Sequence, residues 1–244
     1  FAGCSNITKM TLPFVGTEKD AINAGKTFAS IFGGTEVTGC TSVSVSYNAS
    51  GSSTYYVPTG LTEIVVNFSE VNTELNSYAF NGLTTVEKVV LKNVVELGTS
   101  AFEGCTSLKN VEFDENAALK TSGKAAFKGC TSLYSMNLSV FTGLETVYQE
   151  AFSGCTKLGL GFATVKLPGA KYMEKAFAGC TTLKDLDLSV VGYVGESCFN
   201  GCTSLESLTL PTLSAYIGNG AFLGCTKLVD NGIVDVFGNL SEIR

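Results

Sequence analysis

An α/β repeat solenoid, with a parallel β-sheet along one face and short helical turns on the outer face, is the fold class this sequence predicts. Three observations predict it. An octet, Ala101-Phe-Glu-Gly-Cys-Thr-Ser-Leu108, returns with small changes at residues 79–86, 126–133, 151–158, 176–183, 198–205 and 221–228, and a shortened copy opens the chain at residues 1–7. The octet glycines, from Gly82 to Gly224, are 22, 25, 25, 25, 22 and 23 residues apart. Each octet leads into one apolar triplet, as at Leu108, Val111 and Phe113.

A period in this range is that of a leucine-rich repeat. The triplet ends on two apolar residues spaced by two, the period of a strand with one buried face. It recurs as Val86/Val89/Leu91, Leu133/Met136/Leu138, Leu183/Leu186/Leu188 and Leu205/Leu208/Leu210. Similar returns of about 15 residues bring every strand back in one direction, so the strands stack parallel at ~4.8 Å. A turn follows, with Pro168 or Pro211 in two repeats, and then an apolar residue before glycine: Leu97-Gly98, Val194-Gly195 and Ile217-Gly218. The octet itself reads as a short helical turn that points Ala and Phe inward and ends on a left-handed glycine. Phe80, Phe102, Phe127, Phe152, Phe177, Phe199 and Phe222 should then stack as a spine.

All 244 residues read as one solenoid, with regular repeats over 79–230 and an irregular or inserted segment over 14–60. The segment is too short for a core of its own, so a lengthened repeat carrying a helix or hairpin is expected. A smaller break at Gly159-Leu-Gly-Phe-Ala-Thr164 reads as a bulged entry to a strand. Because the chain opens inside a repeat, it is expected to be a segment of a longer array.

Composition narrows the function. Hydrophobic residues make up 45% and charged residues 16%, which excludes disorder. The net charge of -6 comes without a basic cluster, which argues against nucleic acid as a partner. No apolar run reaches membrane-spanning length, and the first residues do not read as a signal peptide. Histidine is absent, which removes the commonest general base and metal ligand. No phosphate loop, Gly-x-Ser-x-Gly elbow or His-Glu-x-x-His motif appears, so no catalytic, cofactor or metal residues are assigned.

The octet and its downstream Leu-x-Leu-Pro resemble the BspA-like, or Treponema-pallidum-type, leucine-rich repeats. The likeness covers 79–228 strongly and 1–13 clearly; Leu12-Pro-Phe-Val-Gly16, Ile31-Phe-Gly33 and Tyr56-Val-Pro58 are similar to an element of long arrays in this class. The resemblance implies a right-handed leucine-rich-repeat solenoid with a concave parallel β-sheet, on proteins that are secreted or anchored at the cell surface. It implies adhesion to matrix proteins or other cells for some members and no catalytic residues.

Eight of the nine cysteines precede Ser or Thr, and seven hold the octet position. In-register stacking spaces their Cβ atoms wider than a disulfide prefers, so a column of buried thiols is expected. Cys198, four residues before Cys202, is the candidate for a local bridge; two thiolates without histidine do not complete a zinc shell. The outward strand positions are the candidate partner-binding face: Glu87, Lys88, Lys109, Asn110, Glu112, Tyr134, Ser135, Asn137, Lys184, Asp185, Asp187, Glu206, Ser207 and Thr209. The competing reading is a solvated face whose mixed charges keep the sheet soluble. Asp185 and Asp187, two apart on one strand, suit a weak cation site or carboxylate pair, against which stands incidental placement. Asn6, Asn48, Asn67, Asn137 and Asn239 stand in Asn-x-Ser/Thr triplets, glycan acceptors only in a eukaryotic secretory setting.

The expected function is a non-enzymatic secreted or cell-surface adhesion module that recognises a host or cell-surface protein or glycan through the concave sheet. The alternative is a structural segment of an extracellular fibre or coat, with other copies of the chain as partners at the solenoid ends.

Overall fold

The computed structural model describes residues 1–19, 21–69, 73–114, 117, 119–136, 146–160, 165–166, 172–210 and 216–228. Pro168, Pro211, Leu138, residues 161–164 and the residues beyond 228 lie outside them, as do Asn137 and Asn239. The strands, in chain order, are β1 (Lys9–Leu12), β2 (Cys40–Ser46), β3 (Ser52–Pro58), β4 (Glu63–Asn67), β5 (Thr73–Leu75), β6 (Lys88–Lys92), β7 (Val94–Leu97), β8 (Asn110–Phe113) and β9 (Ser135–Met136). They continue as β10 (Thr146–Val147), β11 (Val165–Lys166), β12 (Tyr172–Met173), β13 (Asp185–Asp187), β14 (Tyr193–Val194), β15 (Ser207–Thr209) and β16 (Tyr216–Ile217).

A first parallel ladder joins the triplet strands in the order β1-β4-β6-β8-β9, and β11-β13-β15 is its counterpart further along the chain. Register is strict: Ile64 pairs with Val89, Val89 with Val111 and Val111 with Met136. These residues are buried while their neighbours on the strand face outward, as a half-buried strand requires.

A second ladder was not foreseen. The apolar position held by Leu97, Val194 and Ile217 ahead of glycine is itself in a short strand, as are Leu75, Val147 and Met173 where no glycine follows, giving β5-β7 and β10-β12-β14-β16, all parallel. Leu75 pairs with Leu97, and Val147, Met173, Val194 and Ile217 pair in succession. A bridge from Glu96 to Thr121 extends it.

The octet is not a helical turn, and this corrects the expectation of helix on the outer face. Among the described residues there is no α-helix and no octet is helical; the 3-10 turns Asn23–Lys26 and Phe28–Phe32 lie ahead of the regular octets. In the octet, alternate amides serve different partners. Glu103 N donates to Ser100 O and Cys105 N to Phe102 O within the turn, but Phe102 N donates to Ala126 O and Gly104 N to Lys128 O in the next repeat. A helix this short carries the full nucleation cost for a single closed bond. Two bonds to the neighbouring repeat outcompete it. The turn begins on a left-handed residue, such as Ser100 (φ 53°), and ends on left-handed Gly104 (φ 76°).

The octet also builds the core. Consecutive rings from Phe80 to Phe222 lie 5.0 to 5.4 Å apart and within 13° of parallel. Parallel rings at this spacing lie within the range of stacked aromatic pairs, and the repeat pitch sets the spacing. Beside it runs the thiol column, with Cys105, Cys130, Cys155, Cys180, Cys202 and Cys225 buried. Each thiol donates to the phenylalanine carbonyl of the preceding repeat, at 3.0 to 3.3 Å. Cys4, in the shortened copy, is exposed.

The N-terminal part of the chain joins the same body. β1 pairs with β4 in the first ladder, and Phe28 takes the spine position, its ring 5.5 Å from Phe80 and its amide donating to Ala79 O. The antiparallel hairpin β2–β3 lies between Phe28 and β4 in sequence. Its five-residue turn is closed by Asn48 Oδ1, which accepts from the amides of Ser50 and Gly51. The hairpin docks on the first octet through Ser46 N, which donates to Asn81 Oδ1.

Three outcomes follow for stability. Phe127→Ala opens a cavity in the spine and should cost about 3–5 kcal/mol; wild-type chemical denaturation would contradict the spine's role. At Gly98 a Cβ would lie 2.3 Å from Ser77 N and 2.6 Å from Leu75 O, because the two backbones are in contact. Gly98→Ala should therefore cost about 1–3 kcal/mol by the same measurement. Burial pushes the Cys155 and Cys198 thiols up to about 12, from 9.0 when free. An acid whose folded pKa is raised contributes stability that is complete below the unfolded value and lost as pH climbs to the folded one. Unfolding free energy should thus fall between pH 9 and 12, by about 1.4 kcal/mol per pH unit for each thiol that titrates only when unfolded. Cys155→Ser should shallow that slope by one proton.

Candidate functional site

The first ladder displays one variable row per repeat on its outward side. Thr62 O accepts from Glu87 N, Glu87 O from Lys109 N, Lys109 O from Tyr134 N, and Lys184 O from Glu206 N. This ordering brings Glu87, Lys88, Lys109, Asn110, Glu112, Tyr134 and Ser135 together on β6, β8 and β9 and the residues that lead into them. Lys184, Asp185, Asp187, Glu206, Ser207 and Thr209 form a second group on β13 and β15 and the residues that lead into them. Asn137 lies outside the described residues.

Opposite charges face one another in the first group and on the strands β1 and β4 beside it. Lys9 pairs with Glu63, Lys88 with Glu112 and Lys109 with Glu87, each at 2.8 Å. Lys88 opposes Asn110 in register and reaches Glu112 two residues further along the neighbouring strand, a diagonal contact of the kind long side chains make across a sheet. Asn110 Nδ2 also donates to Glu112 Oε1. In the second group Lys227 pairs with Glu206 at 2.8 Å. The hydrogen bond from Lys9 holds the Glu63 carboxyl below its ordinary pKa, and that from Lys227 does the same to Glu206. The bond to Glu112 raises the Lys88 ammonium. All these groups are exposed to water, so each pair contributes little to stability. What the pairing does is to set side-chain direction. Tyr134 is the aromatic of this face, 42% exposed.

Asp185 Oδ1 accepts from Ser207 Oγ on the next strand, and Asp187 Oδ1 accepts from Ser189 N, closing the turn that ends β13. No group of three His, Cys, Asp or Glu side chains that could hold a metal exists among the described residues. Cys198 and Cys202 are both buried free thiols. The Cys202 thiol points to Phe177 O in the preceding repeat. Asn6, Asn48 and Asn67 are exposed.

The second ladder carries a feature that the sequence reading missed. Tyr172, Tyr193 and Tyr216 occupy one register position on three consecutive strands, each one residue ahead of the buried Met173 or Val194 or the partly buried Ile217. The Tyr193 and Tyr216 rings stack at 4.7 Å and 8°. Tyr148, directly after β10, is 47% exposed. The signal was a tyrosine immediately before the apolar residue at 172, 193 and 216.

A family model of the BspA type leucine rich repeat region matches residues 48–167 and 170–243, with six copies. No curated protein matches the chain. Among solved structures, the leucine-rich repeat protein of T. pallidum is 28% identical, with a TM-score of 0.63, over 74% of this chain and 84% of that one. A leucine-rich cell surface protein from Faecalibacterium prausnitzii is 26% identical, with a TM-score of 0.52, over 76% of this chain and 44% of that one.

Proposed function

This chain belongs to the BspA-type leucine-rich-repeat family, and from that premise we propose that it is a non-enzymatic binding module, secreted or held at a cell surface. Its partner is a protein or glycan of a host or neighbouring cell, read by the outward rows of the first ladder. The observation that carries this reading is the division of labour within each repeat. The inward positions repeat as Phe, Cys, Gly and Leu, while the outward row changes from Glu87 to Lys109 to Tyr134 and from Lys184 to Glu206. A face maintained only for solubility needs charge, and not a particular arrangement of it. Here Glu87, Lys88, Lys109, Asn110 and Glu112 are tied by ion pairs and one hydrogen bond into fixed directions beside an exposed tyrosine. Preset side chains lose less freedom when a partner docks. Surface placement is supported by the F. prausnitzii structure, a cell surface protein. Among the described residues no helix is long and apolar enough to cross a membrane.

Binding of the labelled chain to matrix proteins and to intact cells tests the reading. Tyr134→Ala with Lys109→Glu should lower saturable binding by about tenfold or more while the melting temperature stays unchanged. Undiminished binding by that variant would move the interface off the first ladder. End-to-end assemblies on size exclusion and imaging, formed without any ligand, would favour the structural alternative.

A further inference from the structure

We propose that a groove on the second ladder, walled by Tyr148, binds a neutral oligosaccharide. This site is separate from the first-ladder face. The groove has a volume of about 390 Å³ and is lined by Glu74, Ser77, Thr99, Thr121, Lys124 and Tyr148, over a floor formed at Leu97, Gly98 and Gly123. Its size suits one or two sugar rings and lies at the low end of small-molecule sites.

The chemistry of the lining selects the ligand. A peptide strand would need unpaired backbone donors and acceptors to add to the ladder. Here the amides are consumed between repeats: Gly98 N by Leu75 O, Leu97 N by Thr121 O, Ser100 N by Lys124 O and Thr99 N by the Ser77 hydroxyl. Side chains must therefore do the recognising. Ser77, Thr99 and Thr121 offer hydroxyls, each both donor and acceptor, the complement of a sugar's own hydroxyls. Glu74 and Lys124 bring one charge of each sign, so the groove has no net field to attract a phosphate or a polycation. Tyr148 supplies an aromatic ring, whose electron-rich face attracts the polarised C–H bonds on the apolar side of a pyranose.

Local structure fixes the backbone that carries that ring. Ser122 is a fully buried polar residue within an otherwise apolar row, and its hydroxyl accepts from Tyr148 N at 2.9 Å. Two residues on, Glu150 is left-handed (φ 60°) and opens the next octet. Tyr148 is thus anchored at its backbone and exposed at its ring. The Tyr193 and Tyr216 rings, by contrast, cover one another's faces.

The chain contains no tryptophan, so Tyr148→Trp places a single indole on the groove wall. The probes are neutral hexose and N-acetylhexosamine oligosaccharides, screened on a printed array and then titrated in solution. At least one should be bound by the native chain and should shift the indole emission of the Y148W variant saturably. Tyr148→Ala should weaken that binding by about tenfold or more, Tyr148→Phe should retain it, and Glu87→Ala with Lys109→Ala should leave it intact. All variants should melt like the native chain, since the altered side chains are well exposed. The inference fails if no neutral glycan is bound, if only charged glycans or peptides are bound, or if Tyr148→Ala binds normally. Loss of cell attachment in first-ladder variants with normal attachment by Tyr148→Ala would leave the proposed function standing and this site without a role in it.

Discussion

Every repeat leaves its own hydrogen bonds for its neighbour to complete, and the rest of the structure depends on this. Phe102 N and Gly104 N have no acceptor within their own octet; they find Ala126 O and Lys128 O one repeat on. The thiol of Cys130 has its acceptor, Phe102 O, one repeat back. Leaving such buried groups unpaired costs on the order of 1–3 kcal/mol each. A single repeat therefore has no stable form, and stability grows only with contact between neighbours.

That constraint also explains what was legible in the sequence and what was not. The Phe, Cys and Gly of the octet each meet the same atom type in every repeat, so they recur almost unchanged, and from them the spine, the buried thiols and the parallel first ladder followed. The second ladder was obscured because its strands are only two residues long in β10, β12, β14 and β16, too short for a period of two to show. The supposed helical turn misled for a physical reason. Ala, Phe and a C-terminal glycine suit a helix end equally well, and only the adjacent repeat reveals where the amides go.

Of the candidate site, the composition of the first-ladder face could be read from the strand period, but its pairing could not. Lys88 with Glu112 depends on a diagonal across two strands, which is fixed by register and not by order along the chain. Asp185 and Asp187, adjacent by the same period, turned out to serve different neighbours. Tyr148 was invisible as a site residue because its setting is made by Ser122, an exception within an apolar row, and exceptions carry no periodic signal.

One consequence of the octet bonding concerns assembly. The amides of Phe and Gly always point toward the following repeat, and the thiols always point toward the preceding one. The ladders send amides the other way as well, Lys109 N to Glu87 O and Gly98 N to Leu75 O, so the one-way bonding belongs to the octet row alone. At the beginning of the regular octets the acceptor Ala79 O is met by Phe28 N, and Asn81 Oδ1 by the hairpin amide of Ser46. Within that row the stack has a direction: a neighbour satisfies the octet Phe and Gly amides only by presenting acceptors in the order that the following repeat's carbonyls do.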